Sequence, residues 1–564
     1  MKTLLKNGKV VNVFTDSLEF TNVLLEDDRI IGVGTYCDED ADEVVDLGGR
    51  YLCPGFIDGH IHIESTMLTP AELARACVSH GTTSIVADPH EITNVCGTLG
   101  IEYMLEASEG IPMNVYMMLP SCVPATPLDE AGAVLKAEDL KPFYQHPRVL
   151  GLGEMMNYTG VIHKDPQVLE KIKDARSEGH LVNGHAPLLT GKMLDQYIGA
   201  GITDDHECTD VKEAMERIRK GQRVMIRQGT AARNLEALLP LFEEPWSRRC
   251  LLVTDDRHPA DILEEGHIDH IIRMAVSAGK SVFTGIRMAT IQAAEYFGLK
   301  AVGAVAPGYT ADLLVLEDLD RVKVRDVYRA GKQVVSQGKI ISFEEPMVRP
   351  DVQKAVRNSF YVDELTAGEF HINPEEDSCR VIRLIKNQLL TDEWITELDF
   401  GRNNGVDIER DILKLAVIER HLHTGHKGIG FINGVGLQKG AIASSVSHDS
   451  HNLIVIGTNE PDMALAANRI REIGGGNVVV SEGRILAEMS LPVAGLMSEQ
   501  SARELAKQNL AVRKAVQELG AREGIEPFMN MAFLSLPVIP SLKMTTRGLV
   551  DVEKQCFVSL FVQR

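Results

Sequence analysis

The distribution of apolar and polar positions divides the chain into stretches of different texture. Over residues 1–51 the segments "TLLKNGKVVNV", "EFTNVLLEDDRIIGVG" and "DEVVDLGG" read as short strands with turns at Gly or Asp-Asp breaks. From Leu52 to residue 300, short β-rich apolar runs alternate with amphipathic helical stretches, the pattern of parallel strands joined by helical crossovers. The runs are "LCPGFIDGHIH", "TTSIVADPHE", "NVYMMLPSC", "VLGLGEMM", "LVNGHAP", "ITDDHECT", "RVMIRQG" and "CLLVTDD". Eight strands close a TIM-type (β/α)8 barrel, whose active site lies at the C-terminal strand ends, and each run here ends in polar or ionisable groups. Periodicity fits an open doubly wound sheet equally well; the count favours the barrel.

Beyond "ATIQAAEYFGL", residues 301–345 return to short strands and turns and are expected to pair with residues 1–51 as a split β-sandwich module flanking the barrel at 52–300. Residues 346–564 are expected to form a separate C-terminal α/β domain. It contains the glycine-rich loop series "GIGFINGVGLQKGAIASSVSHDSHN" and helices such as "SARELAKQNLAVRKAVQEL". No internal repeat or low-complexity segment is evident.

Length and charge narrow the classes of function. A chain of 564 residues exceeds what one hydrophobic core supports, which suits a large enzyme. A formal net charge of -22 without a basic run argues against nucleic acid and points to small molecules and copies of the same chain, a homo-oligomer. The nine cysteines are odd in number, scattered and without a C-x-x-C pair, as in a cytoplasmic protein with reduced thiols. No signal-peptide pattern and no uncharged stretch of membrane-spanning length is present, so a soluble chain with no membrane partner is expected.

In a strand, residues i and i+2 face the same side, so His60 and His62 project together from the end of the first run. Such a pair alone is more often an ordinary strand end than a ligand set; its company changes the reading. The fourth run ends in Glu154, the fifth in His185, the sixth in His206 and the eighth in Asp255. A barrel gathers those ends around one mouth, and four histidines with two carboxylates suit two divalent first-row metal ions sharing a bridging carboxylate.

"PGFIDGHIH" and the closing "APGYTADLLVLED" resemble the amidohydrolase superfamily, whose members share a metal-bearing barrel and a split β module. The finer motifs "HIESTMLTP", "DPHEITNV", "PSCVPA", "GEMMNY", "TDDRHPADILEEGHIDHIIRMA" and "SHDSHNLIVIGTN" are similar to the bacterial adenine deaminase family, nearly end to end. The resemblance implies hydrolysis of adenine to hypoxanthine and ammonia in purine salvage. It implies His60, His62 and Asp255 on one metal, His185 and His206 on the other, and Glu154 bridging, with Mn2+ or Fe2+ and also Zn2+ as fitting ions. Many relatives bridge with a carboxylated lysine, whereas Glu154 needs no carbon dioxide adduct. A cyclic amide hydrolase of hydantoinase or dihydroorotase type is the rival on the same barrel and predicts that lysine. A non-catalytic binding relative is the rival from another class and should have lost ligands.

Asp255 is expected to carry a proton from the attacking water to the leaving amine. Purine N1 also needs a proton. Where mononuclear relatives place a glutamate after the fifth-strand histidine this chain reads "HAPLL", which leaves Glu207 and Glu64 as alternatives. Glu207 follows His206 directly, so it reaches the same site only where the strand has turned into a loop. By similarity to adenosine deaminases Asp256 would lie near purine N7; otherwise it caps the helix at "PADILEEG". Ser65, Asp88, His90 and Ser121 are substrate-facing candidates at strand ends, although "DPHE", with Glu91, also reads as a turn. Cys122 has no assigned base and is not expected to be a nucleophile. His448, Asp449 and His451 of "SHDSHN" are expected to form a lid or an extra metal contact, or else a polar loop organising its own domain.

Overall fold

The computed structural model describes residues 1–564 except 231, 387, 523, 524 and 564. The chain forms two compact units: Met1–Pro89 with Met104–Ser121 and Lys136–Met347, and His90–Tyr103 with Cys122–Leu135 and Val348–Arg564. Two short segments inside the predicted barrel range therefore group with the second unit.

In the first unit, eight parallel strands carry the site: β1 (Phe56–Ile61), β2 (Thr82–Ala87), β3 (Asn114–Leu119), β4 (Val149–Met155), β5 (Leu181–Gly184), β6 (Asp204–Asp205), β7 (Arg223–Arg227) and β8 (Cys250–Val253). They read as near-continuous apolar runs because both faces are covered; every residue of β1, β2 and β8 is buried. β1 to β5 form one hydrogen-bonded ladder and β6 to β8 another. The ladders join where Thr203 N–H donates to the Val182 carbonyl (3.0 Å) and where Asp255 N–H donates to the His60 carbonyl (2.9 Å), which closes a (β/α)8 barrel. Gly184 permits the first junction, since a Cβ there would meet the Asp204 carbonyl at 2.1 Å. Helices return the chain between strands, among them Pro166–Ser177 and Val211–Arg219, whose first turns are capped by the Asp165 and Asp210 carboxylates.

A second sheet of this unit joins strands from both flanks of the barrel. Leu313–Asp318 pairs antiparallel with Tyr51–Pro54, which pairs parallel with Lys2–Asn12, and Leu5, Val10, Leu25, Leu52, Leu313 and Val315 share its core.

The second unit is built on an eight-stranded sheet: β9 (Ser378–Leu384), β10 (Thr391–Glu397), β11 (Ile412–Ile418), β12 (Lys427–Asn433), β13 (Ala441–Ser444), β14 (Leu453–Gly457), β15 (Gly476–Ser481) and β16 (Arg484–Ser490). The order is β10-β9-β12-β11-β14-β13-β15-β16, and the apolar side of helix Glu460–Ile473 packs on it through Met463, Ala466, Ala467 and Ile470. The stretch expected to be a glycine-rich loop series contains two strands, β12 and β13. Its glycines serve close packing: a Cβ on Gly428 would meet the Thr545 carbonyl at 2.0 Å. "SHDSHN" lies in the turn from β13 to β14, with His448, Asp449 and His451 all buried.

Candidate metal centre

Each expected ligand falls at or just past the end of its strand. His60 and Glu154 lie within β1 and β4; His62, His185 and His206 stand one residue beyond β1, β5 and β6, and Asp255 two beyond β8. His60, His62, Glu154, His206 and Asp255 are buried and His185 is half-buried. Asp255 adopts a left-handed backbone, φ 60°, which Asp tolerates better than most residues, and its carboxylate meets the β1 histidines.

Glu154 divides its two oxygens between the halves of the cluster. Oε1 is 3.2 Å from His62 Nε2, while Oε2 is 2.6 Å from His185 Nδ1 and 3.2 Å from His206 Nε2. Asp255 Oδ1 is 3.2 Å from His62 Nε2 and 3.5 Å from His60 Nε2. Ligand atoms of His60, His62 and Asp255 lie within 4.8 Å of one another, as do those of His60, Glu154 and His206, and of His185, His206 and Glu207. The buried His60 Nε2 makes no hydrogen bond. Imidazole nitrogens and carboxylate oxygens converging this closely fit divalent first-row cations.

Charge in the cluster runs the same way. Against the cost of burial, Arg227, with His60 and His62 beside the carboxylate, holds the Asp255 carboxyl well below the usual range. His185, with His206 and His62, does so for Glu154 against burial of its own. Burial, with His206 alongside, lowers His60 to about 4, so a neutral ring with a lone pair faces the carboxylates.

Neighbouring groups orient these ligands. The Asp88 carboxylate accepts the Glu154 backbone N–H at 2.9 Å, and the Asp88 carbonyl is 2.9 Å from His62 Nδ1, which turns Nε2 toward the cluster. Ser121 Oγ donates to the Glu154 carbonyl at 2.5 Å, and Lys171 Nζ donates to the Ser121 carbonyl at 2.7 Å. The Tyr197 hydroxyl accepts the His185 N–H at 2.9 Å and donates to the Met155 carbonyl at 2.7 Å. Asp88 and Ser121 thus touch the ligand residues themselves.

β6 is two residues long, so the backbone has left the strand by His206, and His206 and Glu207 reach the same place. Glu207 Oε1 is 3.4 Å from His206 Nε2 and 3.8 Å from His185 Nδ1. Glu64, buried, and Ser65, half-buried, occupy the 3-10 turn Glu64–Thr66 that follows His62. Asp256 is half-buried and is not the cap of helix Pro259–Glu264; His258 holds that position.

The other expected residues lie in the second unit. There His448 Nδ1 is 2.9 Å from Glu91 Oε1, and His90 Nε2 is 3.9 Å from Asp449 Oδ1. Ser447 N–H donates to His451 Nδ1 at 3.2 Å, and ligand atoms of Glu91, His448 and His451 lie within 4.8 Å of one another.

Comparison with known proteins decides the family. The Amidohydrolase family model matches residues 51–334, and the Adenine deaminase C-terminal domain model matches residues 388–556. Adenine deaminase 2 of Carboxydothermus hydrogenoformans is 48% identical over 550 residues, covering 97% of this chain and 95% of that protein. The adenine deaminases of Desulfatibacillum aliphaticivorans and Kosmotoga olearia are 46% and 43% identical over 561 residues, covering 99% of this chain and 97% and 96% of their own lengths. The chain belongs to the adenine deaminase family.

In this adenine deaminase family member three polar groups on the barrel strands escape sequence reasoning. Arg227, the last residue of β7, places Nη1 2.6 Å from Asp255 Oδ2 and also donates to Glu207 Oε1. The Asp58 carboxylate accepts the Thr254 N–H (3.1 Å) and hydroxyl (2.5 Å), tying β1 to the turn after β8. Asp204 accepts the Gly184 N–H at 2.9 Å and ties β5 to β6. Arg227 carried a signal, since it is the charged end of a run whose fellows end in ligands.

Proposed function

We propose that this chain hydrolyses adenine to hypoxanthine and ammonia, a cytoplasmic step of purine salvage. The observation that carries the reading is Glu154 turning one oxygen to His62 and the other to His185 and His206, in a chain whose full-length relatives bear the name adenine deaminase. His60, His62 and Asp255 would hold one divalent cation and His185 and His206 a second, with Glu154 shared; we assign Mn2+ or Fe2+, and Zn2+ fits the same donors. Bound there, such cations supply Lewis acidity that brings the pKa of water toward neutrality.

The chain's own groups move the protons. Asp255 takes a proton as the water oxygen adds to C6 and returns it to the departing amine. N1 gains a proton as C6 becomes tetrahedral, and we assign that donation to Glu64. Burial works against ionisation of Glu207, yet Arg227 together with His185 and His206 lowers its pKa and favours the anion, a poor donor. Glu64 lies instead in the turn that directly follows the His60 and His62 pair. Ser65 and Asp256 are our candidates for contacts to the ring.

The purified chain, loaded with Mn2+ without added bicarbonate, is to be mixed with adenine, adenosine and dihydroorotate while ammonia and metal content are measured. Ammonia from adenine alone is expected. A fully loaded protein that leaves adenine intact, or loading that requires bicarbonate, would refute the assignment.

A further inference from the structure

We propose that Arg227 is a positioning residue that keeps the metal centre open, by pinning two carboxylates that would otherwise close on the cations. The inference rests on the metal-dependent reading of this cluster. One nitrogen, Nη1, bonds both Asp255 Oδ2, at 2.6 Å, and Glu207 Oε1. Asp255 is thereby split: Oδ1 faces His60 and His62, and Oδ2 is occupied by the guanidinium. Asp255 can offer a cation one oxygen only.

Glu207 is the more consequential partner. Its Oε1 is 3.4 Å from His206 Nε2 and 3.8 Å from His185 Nδ1, and the three side chains present ligand atoms within 4.8 Å of one another. Freed from Arg227, Glu207 is placed to become a further ligand of the cation assigned to those histidines. A catalytic site needs an unfilled coordination position, and a carboxylate is a strong competitor for it. Arginine suits the restraining task because its guanidinium stays charged and has no lone pair to ligate a metal itself. Arg227 and Asp255 are buried and Glu207 is half-buried, surroundings in which a charged hydrogen bond is strong.

The expected signature is unusual, because removing the residue should tighten metal binding while slowing the reaction. The wild-type chain, Arg227→Met, Arg227→Lys and the double variant Arg227→Met with Glu207→Gln are loaded with Mn2+. Metal content is measured first, then release to a chelator, and kcat and KM for adenine. Arg227→Met should release metal about tenfold more slowly and lose about a hundredfold in kcat, with KM little changed. Arg227→Lys, which restores a charged donor on a shorter arm, should recover part of both properties. The double variant should return release most of the way to the wild-type rate, because a neutral amide is a weak ligand and only Asp255 stays unpinned. Release from Arg227→Met as fast as wild type or faster, a kcat close to wild type, or slow release that persists in the double variant would each overturn the proposal. If Arg227→Met does not fold, Arg227→Lys decides: slower release with lower kcat supports the restraint, and unchanged release refutes it. Failure of the functional reading would appear separately, as wild-type protein that takes up no metal.

Discussion

Gly153, the residue before Glu154, offers a sharp test of how the bridging carboxylate is held. A Cβ built there would lie 2.0 Å from Asp88 Oδ2 and 2.6 Å from Asp88 Cγ. Ordinary contact begins at 3.4 Å, so in Gly153→Ala the Asp88 carboxylate must retreat by about 1.4 Å (3.4 less 2.0) or β4 must move. That oxygen accepts the Glu154 N–H at 2.9 Å, and a retreat of this size breaks the bond. A hydrogen bond to a charged group contributes about 1.5–3 kcal/mol and overpacking costs about 1–3 kcal/mol, so a loss of about 2.5–6 kcal/mol of stability is expected. The functional effect should be larger in proportion, because displacing a reacting constellation by about 1 Å costs on the order of a hundredfold in rate. Urea unfolding, metal content and ammonia release from adenine measure the three consequences. Gly199→Ala is the control: it lies at the end of helix Gly191–Gly199 with nothing within 4 Å of its Cβ, so it should be neutral or slightly stabilising. If Gly153→Ala matches wild type in stability, metal content and rate, the account of Asp88 as the anchor of Glu154 is wrong.

Other perturbations bear on different parts of the structure. Tyr197→Phe removes the hydroxyl that links the His185 N–H to the Met155 carbonyl; thermal unfolding should show a loss of about 2 kcal/mol, accompanied by reduced kcat/KM. Stripping metal with a chelator should lower the melting temperature, since an ion present at about a hundredfold over its Kd contributes about 2.7 kcal/mol per site; an unchanged melting temperature would count against the metal centre. Lys543, fully buried, is lowered by burial from 10.5 to about 7, so between those pH values the unfolded chain binds more protons than the folded one. Stability should therefore fall as pH drops from 10.5 toward 7 and level off below that. Lys543→Met should flatten this slope and be the more stable protein at pH 6.5, as read by urea unfolding across pH.

The clustering of the expected ligands was legible because its information is local: in a barrel the last polar residue of an apolar run is the residue at the mouth, so His60, His62, Glu154, His185, His206 and Asp255 could be read run by run. What depended on reach across strands was not. The interaction of Arg227 with Asp255 runs sideways from β7 to the turn after β8, and no spacing rule encodes it. Asp88 and Ser121 stand at strand ends as substrate-facing candidates, and the bonds they make across strands to the Glu154 N–H and carbonyl are not encoded in any spacing. Glu207 turned on the length of β6, two residues, which "ITDDHECT" does not reveal. The strand Lys427–Asn433 was masked by glycines that composition assigns to loops and packing assigns to close contact, as with Gly430, where a Cβ would meet Met544 Cε at 2.6 Å.

The seam between β1 and β8 gives metal uptake a second meaning. The backbone bond that closes the barrel runs from Asp255 N–H to the His60 carbonyl, between two residues that also present the ligand atoms, and Asp58 reinforces it from 196 residues away along the chain. A nascent or truncated barrel lacking its eighth strand therefore has neither the seam nor a complete donor set. On the metal-dependent reading proposed above, metal would act as an inspector of assembly, retained only by a chain whose two most distant barrel strands have met.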